Sequence, residues 1–171
     1  SARPKIADYP FTTLFPQLGS VELGDFRRVV VADLPGLIEG AHKGTGLGDA
    51  FLKHVERTKV LIHLIDVAPL SGPEPKEAYH VIRREMELYS PELSRKKEIV
   101  VVNKIDLLEE GDCAEKVRDL EKHIQRPVLL ISAVTGKNLD RLLHVIAQTL
   151  EELASQKTQE ETALATDEHS K

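Results

Sequence analysis

The sequence has a single cysteine, no tryptophan, and aromatic residues at only 4% of its 171 positions. The lone Cys113 excludes an intrachain disulfide and a CxxC metal pair, and together with the soluble composition it favours a reducing compartment. The longest apolar runs are about eight residues, far below the roughly 20 that cross a membrane, so no membrane association is expected. The net charge of -5 gives no sign of a basic nucleic-acid surface, so no direct DNA binding is expected either.

The length and the balance of residue types indicate one globular domain. Hydrophobic residues make up 41% and charged residues 30% of the chain, which is enough apolar material for a sizeable core. Apolar periodicity ends near residue 154. The chain is therefore predicted to form one domain over 1–154, followed by a disordered polar tail over 155–171.

Short apolar runs alternate with helical periodicities along the chain. The predicted strands lie at 20–23, 27–32, 59–67, 98–102 and 127–131. The predicted helices lie at 47–58, 78–89, 113–124 and 139–154, the last with Asn138 as its N-cap. Gly24-Asp25 forms a hairpin turn between the first two strands. This order predicts an α/β fold, with a three-layer, doubly wound, mostly parallel sheet and one antiparallel hairpin.

Three polar clusters follow predicted strands, at the edge where α/β sheets bind ligands. They are Asp33-Leu34-Pro35-Gly36, Asn103-Lys104-Ile105-Asp106 and Ser132-Ala133. In the first, a carboxylate stands beside a backbone N–H with no bulky side chain, which suits Mg²⁺ and a terminal phosphate. Each cluster alone is also compatible with an ordinary turn, whereas the ordered set is hard to explain that way. His63, inside an apolar run, is predicted to be a satisfied core residue.

The ordered clusters resemble the guanine-nucleotide-binding P-loop GTPases. ADYPFTTL at 7–14 and DLPGLIEGAHKGTGLG at 33–48 narrow the resemblance to the Obg family, over residues 1 to about 153. The resemblance implies GTP and GDP as ligands, Mg²⁺ as cofactor and hydrolysis of GTP to GDP. It also implies a cytoplasmic switch linked to assembly of the ribosomal large subunit, with that subunit or its precursor as partner.

The resemblance places the guanine base at the second and third clusters. Asp106 would accept hydrogen bonds from N1–H and the 2-amino group, a pair that adenine lacks. Asn103 would fix the loop and contact the base edge, the Lys104 stem would lie along the base, and the Ala133 N–H would meet O6. The implied base-site residues are Asn103, Lys104, Asp106, Ser132, Ala133 and Val134.

The phosphates and the metal would lie at the first cluster. Thr13, with Thr12 as the neighbouring alternative, would give its hydroxyl to Mg²⁺, and Asp33 would hold the ion through water. The Gly36 N–H would sense the γ-phosphate, so that residues 36–48 order with GTP and relax after hydrolysis. The implied phosphate-side residues are Phe11, Thr12, Thr13, Asp33, Leu34, Pro35 and Gly36, of which Thr13 and Asp33 serve the metal.

Two departures from the family pattern stand out. GxxxxGK[ST] is absent, because Gly136-Lys137 is followed by Asn138, so the chain is expected to be a G domain without its first strand, its P-loop and the N-terminal Obg domain. Leu37 stands where related enzymes place a water-orienting Gln, which leaves the catalytic residue unknown and implies slow hydrolysis or a group supplied from elsewhere. The alternative function is a truncated or pseudo-GTPase module that binds no nucleotide by itself and acts through its switch surface.

Overall fold

A computed structural model describes residues 18–23, 27–33, 57–69 and 73–168. The strands are β1 (Leu18–Glu22), β2 (Arg28–Ala32), β3 (Val60–Asp66), β4 (Lys97–Asn103) and β5 (Leu129–Leu130). The helices are α1 (Pro75–Tyr89), α2 (Pro91–Arg95), α3 (Glu110–Ile124) and α4 (Leu139–Glu168), with a 3₁₀ turn at Ile105–Leu107. Within these residues, no helix is both long and apolar enough to span a bilayer.

The strands form a parallel sheet and a hairpin. β3, β4 and β5 pair in parallel in that order, and β1 pairs with β2 antiparallel. The register sets Asp66 opposite Asn103 at the carboxyl ends of β3 and β4. The predicted α/β class, with a parallel sheet and one antiparallel hairpin, is confirmed.

β4 separates two apolar cores. Its Val100 and Val102 pack toward α1 and α3, whereas Ile99 and Val101 pack toward Ile146 of α4. A strand covered on both faces needs a continuous apolar run, which residues 99–102 provide. Helices on both faces of one sheet make the three-layer arrangement that the sequence predicts.

β3 is less covered than its sequence suggests. The prediction for 59–67 was a strand buried on both faces, but Ile62 is 36% exposed and Leu64 is 55% exposed, while Leu61 and Ile65 are buried. Among the described strands, β3 lies at one edge of the three-stranded sheet, where fewer neighbours cover it than cover the central β4. The prediction of two buried faces is therefore wrong for this strand.

The chain is more helical after residue 154 than predicted. α4 continues to Glu168, through most of the stretch expected to be a disordered tail. Residues 139–168 contain no glycine or proline, and alanine, glutamate, glutamine and lysine all favour the helix, so nothing in the sequence ends it at 154. The expectation of a disordered tail from 155 is corrected to a helical extension as far as Glu168.

A short helix was not predicted. α2 begins at Pro91, directly after Ser90, and α1 ends at Tyr89, where the predicted helix 78–89 also ends. The Ser90 hydroxyl accepts a hydrogen bond from the Leu93 N–H at 3.3 Å, and Pro91 fits the first helical position because no partner is needed for its nitrogen. The same dipeptide thus ends one helix and starts the next. The predicted turn Gly24-Asp25 and all of the predicted helix at 47–58 except its end lie outside the described residues.

Candidate functional site

The loop after β4 turns sharply at its first residue. Lys104 has a left-handed backbone with φ of 66°, which is uncommon for a residue other than glycine. The turn is closed by a hydrogen bond from the Leu107 N–H to the Lys104 carbonyl at 3.0 Å. Asp106 therefore lies in a compact 3₁₀ turn at the carboxyl edge of the sheet.

Asn103 joins the second polar cluster to the third. Its side-chain Oδ1 accepts a hydrogen bond from the Ala133 N–H at 3.0 Å, across 30 residues of sequence. The family resemblance implies that Asn103 fixes the loop, and this bond is compatible with that role. The resemblance assigns the same N–H to guanine O6, so a base entering the site must share or replace the bond with Asn103.

The loop that carries Ala133 is held from within. Ser132 is fully buried, and its hydroxyl accepts a hydrogen bond from the Thr135 N–H at 3.1 Å. Its backbone N–H and carbonyl pair with Lys137 and Gly136 at 3.1 and 2.9 Å. Ser132 thus shapes the loop, while Val134 stands at its tip with 88% of its surface exposed.

The Asp106 carboxylate is available to a ligand. It is exposed, and within the described part of the chain it has neither a hydrogen-bond nor an ion-pair partner. Leu107 beside it is 56% exposed, so two apolar side chains, Leu107 and Val134, lie at the rims of the two loops. A free carboxylate beside apolar surface can accept two parallel N–H donors from a planar heterocycle.

Lys104 forms an ion pair that sequence reasoning missed. Its Nζ lies 2.5 Å from Oδ2 of Asp66, and the other oxygen of Asp66 accepts the Ala68 N–H at 2.9 Å. Asp66 lies inside the predicted strand 59–67 and was given no role. Its position as a charged residue near the carboxyl end of that strand, at the same sheet edge as the polar clusters, was the signal that could have identified it.

The phosphate side of the site is described only in part. Asp33 directly follows β2, is exposed, and has no partner among the residues that the structure describes. A carboxylate is the hard oxygen donor that Mg²⁺ prefers, so Asp33 fits the proposed ion. The other predicted residues of this side lie outside the described ranges; they are Phe11, Thr12, Thr13, Leu34, Pro35, Gly36 and Leu37.

A buried polar cluster around Glu98, separate from the three loop clusters, lies at the opposite end of β4. The Glu98 side chain is 2% exposed and lies 2.9 Å from Nδ1 of His63 and 3.2 Å from the Arg126 guanidinium. Burial acts to raise the Glu98 pKa, but the His63 hydrogen bond and the Arg83 and Arg126 charges outweigh it, so the pKa lies below 4.5. His63 is a satisfied core residue, as predicted. Glu98 lies five residues, about 16 Å, from Asn103 along the strand, so this cluster is not part of the candidate site.

The fold and the sheet-edge loops are those of a P-loop GTPase domain. One solved structure of that class is Era in complex with MgGDPNP and nucleotides 1506–1542 of 16S ribosomal RNA. It matches with a TM-score of 0.59 and 25% sequence identity, over 84% of this chain and 47% of the Era chain.

The sequence comparisons identify the family within this class of GTPase domains. Residues 1–104 match the family model described as 50S ribosome-binding GTPase. GTPase Obg of Persephonella marina is 50% identical over 153 residues, which are 90% of this chain and 45% of that protein. GTPase Obg of Aquifex aeolicus is 47% identical over 161 residues, 94% of this chain and 47% of that protein. The chain belongs to the 50S ribosome-binding GTPase family, on its Obg branch, and it spans about half the length of these curated relatives.

Proposed function

We propose that this chain is a guanine-nucleotide switch that binds GTP and GDP with Mg²⁺ and hydrolyses GTP to GDP. The observation that carries the proposal is the Asp106 carboxylate, which has no partner among the described residues, in a loop joined through Asn103 to Ala133. The two loops converge at the carboxyl edge of a parallel sheet, which is where nucleotides bind in this fold class.

Asp106 would select the base. Guanine presents N1–H and a 2-amino group as neighbouring donors, and a carboxylate accepts both, each charge-assisted bond contributing about 1.5–3 kcal/mol. Adenine offers no such pair and would leave the carboxylate unsatisfied. Lys104 would support the face of the base, and Ser132, Ala133 and Val134 would line its O6 side.

The phosphate side would be built from the first cluster. Mg²⁺, when bound, would offset the negative charge of the phosphates. Asp33 would hold it through water together with Thr13, with Thr12 as the alternative, and Phe11 would precede this pair. The Gly36 N–H, after Leu34 and Pro35, would sense the γ-phosphate. Because Leu37 carries no polar group to orient water, we propose slow hydrolysis unless another group is supplied, and we assign no catalytic residue.

We propose the ribosomal large subunit or its precursor as the macromolecular partner. The family's own description as 50S ribosome-binding supports this partner. The net charge of -5 favours neither DNA nor an anionic membrane as a partner. The alternative, a module that binds no nucleotide, finds no support among relatives that carry the GTPase name.

Calorimetry on the full-length gene product tests the proposal. We expect GDP and GTP to bind in the presence of Mg²⁺, and ADP to bind at least about a hundredfold more weakly because Asp106 rejects adenine. Asp106→Asn should weaken GDP binding by about ten- to a hundredfold, since the amide has only one acceptor oxygen. It should also improve binding of xanthosine diphosphate, whose 2-oxo group accepts from the new amide.

Asp119→Asn is the matched control. Asp119 is an exposed residue of α3 that pairs with Lys76 and lies outside the candidate site, so its loss should leave nucleotide affinity unchanged. Equal affinities of the wild type for GDP and ADP would refute the proposed function.

A further inference from the structure

Lys104 is fixed at both ends of its side chain. At the backbone, the left-handed conformation with φ of 66° and the hydrogen bond from the Leu107 N–H set the direction in which the side chain leaves the loop. At the tip, Nζ lies 2.5 Å from Oδ2 of Asp66. A lysine stem has four flexible carbons, and most exposed lysines have no such second anchor.

Asp66 is itself held in place. Its Oδ1 accepts the Ala68 N–H at 2.9 Å, which fixes the carboxylate plane. Its backbone pairs in register with Asn103, and the next residue, Val67, donates its N–H to the Asn103 carbonyl at 3.1 Å. Asp66 is therefore rigidly attached to the strand that carries the base-site loop.

We infer that Asp66 is a positioning residue for the base site, holding the Lys104 ammonium so that its stem stays extended as a flat support for the base. This inference rests on the proposed function. Both oxygens of Asp66 are engaged within the protein, so Asp66 acts through Lys104 and does not touch the nucleotide. A side chain ordered before binding loses less freedom on binding, which favours affinity.

The ion pair and the turn at Asp66 can be separated by one substitution. Asp66→Asn keeps a side-chain oxygen that can accept the Ala68 N–H, but it removes the negative charge that holds Lys104. Lys104→Met keeps most of the stem and removes the ammonium. The two variants therefore remove the same ion pair, one by changing its carboxylate and the other by changing its ammonium group.

The experiment measures GDP and inosine diphosphate affinities of the full-length gene product by calorimetry. We expect Asp66→Asn to weaken GDP binding by about three- to tenfold, the scale of one newly mobile side chain. The double variant with Lys104→Met should be no weaker than Lys104→Met alone, because residues that act through one contact are not additive. The melting temperature should stay at the wild-type value.

The ratio of the GDP affinity to the inosine diphosphate affinity distinguishes a residue that supports the face of the base from a residue that recognises its edge. Inosine lacks the 2-amino group, so the ratio reports on Asp106, whereas a flat support serves both bases equally. Asp66→Asn should lower both affinities by one factor and leave the ratio unchanged, while Asp106→Asn should change the ratio. Asp119→Asn serves again as the control.

Lysine side-chain NMR of the nucleotide-free protein gives a readout that needs no ligand. Lys104 should be ordered in the wild type and mobile in Asp66→Asn. Wild-type GDP affinity in Asp66→Asn, multiplicative effects in the double variant, or a mobile Lys104 in the wild type would each overturn the inference. Failure of the proposed function would show separately, as a wild type that does not prefer GDP to ADP.

Discussion

At the scale of single residues, Glu98 is a carboxylate held almost wholly out of water. Its side chain is 2% exposed, and it is bonded to His63, to Arg126 and to the Tyr79 hydroxyl, the last at 3.3 Å. Burial and the neighbouring Glu98 charge raise the Tyr79 pKa, which keeps that hydroxyl protonated. A buried charge is tolerated only when its partners replace the lost water, so the cluster depends on Glu98 being ionised.

Glu98→Gln tests this dependence through pH. A carboxyl group whose pKa falls on folding stabilises the fold above its unfolded value of 4.5, and that stability is lost as the pH drops through the lower folded pKa. We expect Glu98→Gln to lower the free energy of unfolding at neutral pH by about 1–3 kcal/mol. Urea unfolding over the acidic range should show the gap between wild type and variant closing below pH 4.5.

The exposed Glu92, in the first turn of α2, supplies the comparison. Glu92→Gln should leave both the stability at neutral pH and its acid dependence close to wild type, since exposed charges contribute little. A gap between wild type and Glu98→Gln that stays constant with pH would contradict the assignment of the lowered pKa to this carboxylate.

At the scale of elements, Asn138 shows how a loop and a helix are joined. Asn138 directly precedes α4, at the N-cap position that the sequence predicted, and its carbonyl accepts a hydrogen bond from the Leu142 N–H at 3.1 Å. Its backbone is left-handed, with φ of 62°, and its Nδ2 donates to the Leu130 carbonyl at 2.7 Å, at the end of β5. Asparagine tolerates the left-handed region, which is why it suits this junction between the Ser132 loop and α4.

Two substitutions at Asn138 separate the hydrogen bond from the backbone conformation. Asn138→Gly loses the bond but has no Cβ to oppose a positive φ. Asn138→Ala loses the bond as well, and the strain of its Cβ at a positive φ lowers the free energy of unfolding by about 1 kcal/mol more. We expect both to be destabilised, with alanine the less stable by about that amount. Thermal unfolding of the two variants checks the order, and an alanine variant as stable as the glycine variant would rule it out.

The elements that the sequence predicted well are those whose own periodicity decides them. The apolar run alone predicts β4, and one apolar stripe is enough to predict each of the helices α1 and α3. The two errors have different causes. The exposure of Ile62 and Leu64 depends on the neighbours of β3, which lies at one edge of the described sheet, and a local pattern does not contain those neighbours. The helical extension past residue 154 depends on an unbroken run of good helix formers, which a search for an apolar face overlooks.

At the scale of the whole molecule, the sequence predicts which polar residues lie at one edge of the sheet but not the contacts that they make there. The polar clusters were found because each ends a strand, and the parallel sheet brings Asn103, Lys104 and Ala133 to one edge as expected. The pairing of Lys104 with Asp66 spans 38 residues and depends on the register of β3 against β4. Nothing in the local sequence specifies that register, so Asp66 was missed.

The single cysteine offers a probe of how the whole molecule opens. Cys113 of α3 is buried in the core on one face of β4. Burial raises the pKa of its thiol, although the Lys137 charge opposes this, so the reactive thiolate is scarce as well as shielded. We expect thiol labelling of the native protein to be at least about a thousandfold slower than that of the urea-unfolded chain, in line with ordinary domain stability.

The labelling rate also tests whether the two ends of the sheet unfold together. Glu98 lies at the amino edge and Cys113 follows the site loop at the carboxyl edge, so they sense each other only if the domain opens as one unit. Glu98→Gln should then label faster by the factor that its lost free energy predicts, about fivefold to 150-fold for 1–3 kcal/mol. Mg²⁺ with GDP should slow labelling in both proteins, because a ligand that binds only the native state stabilises it. An unchanged rate in Glu98→Gln would mean that Cys113 is exposed by a local opening of α3, which leaves the Glu98 cluster intact.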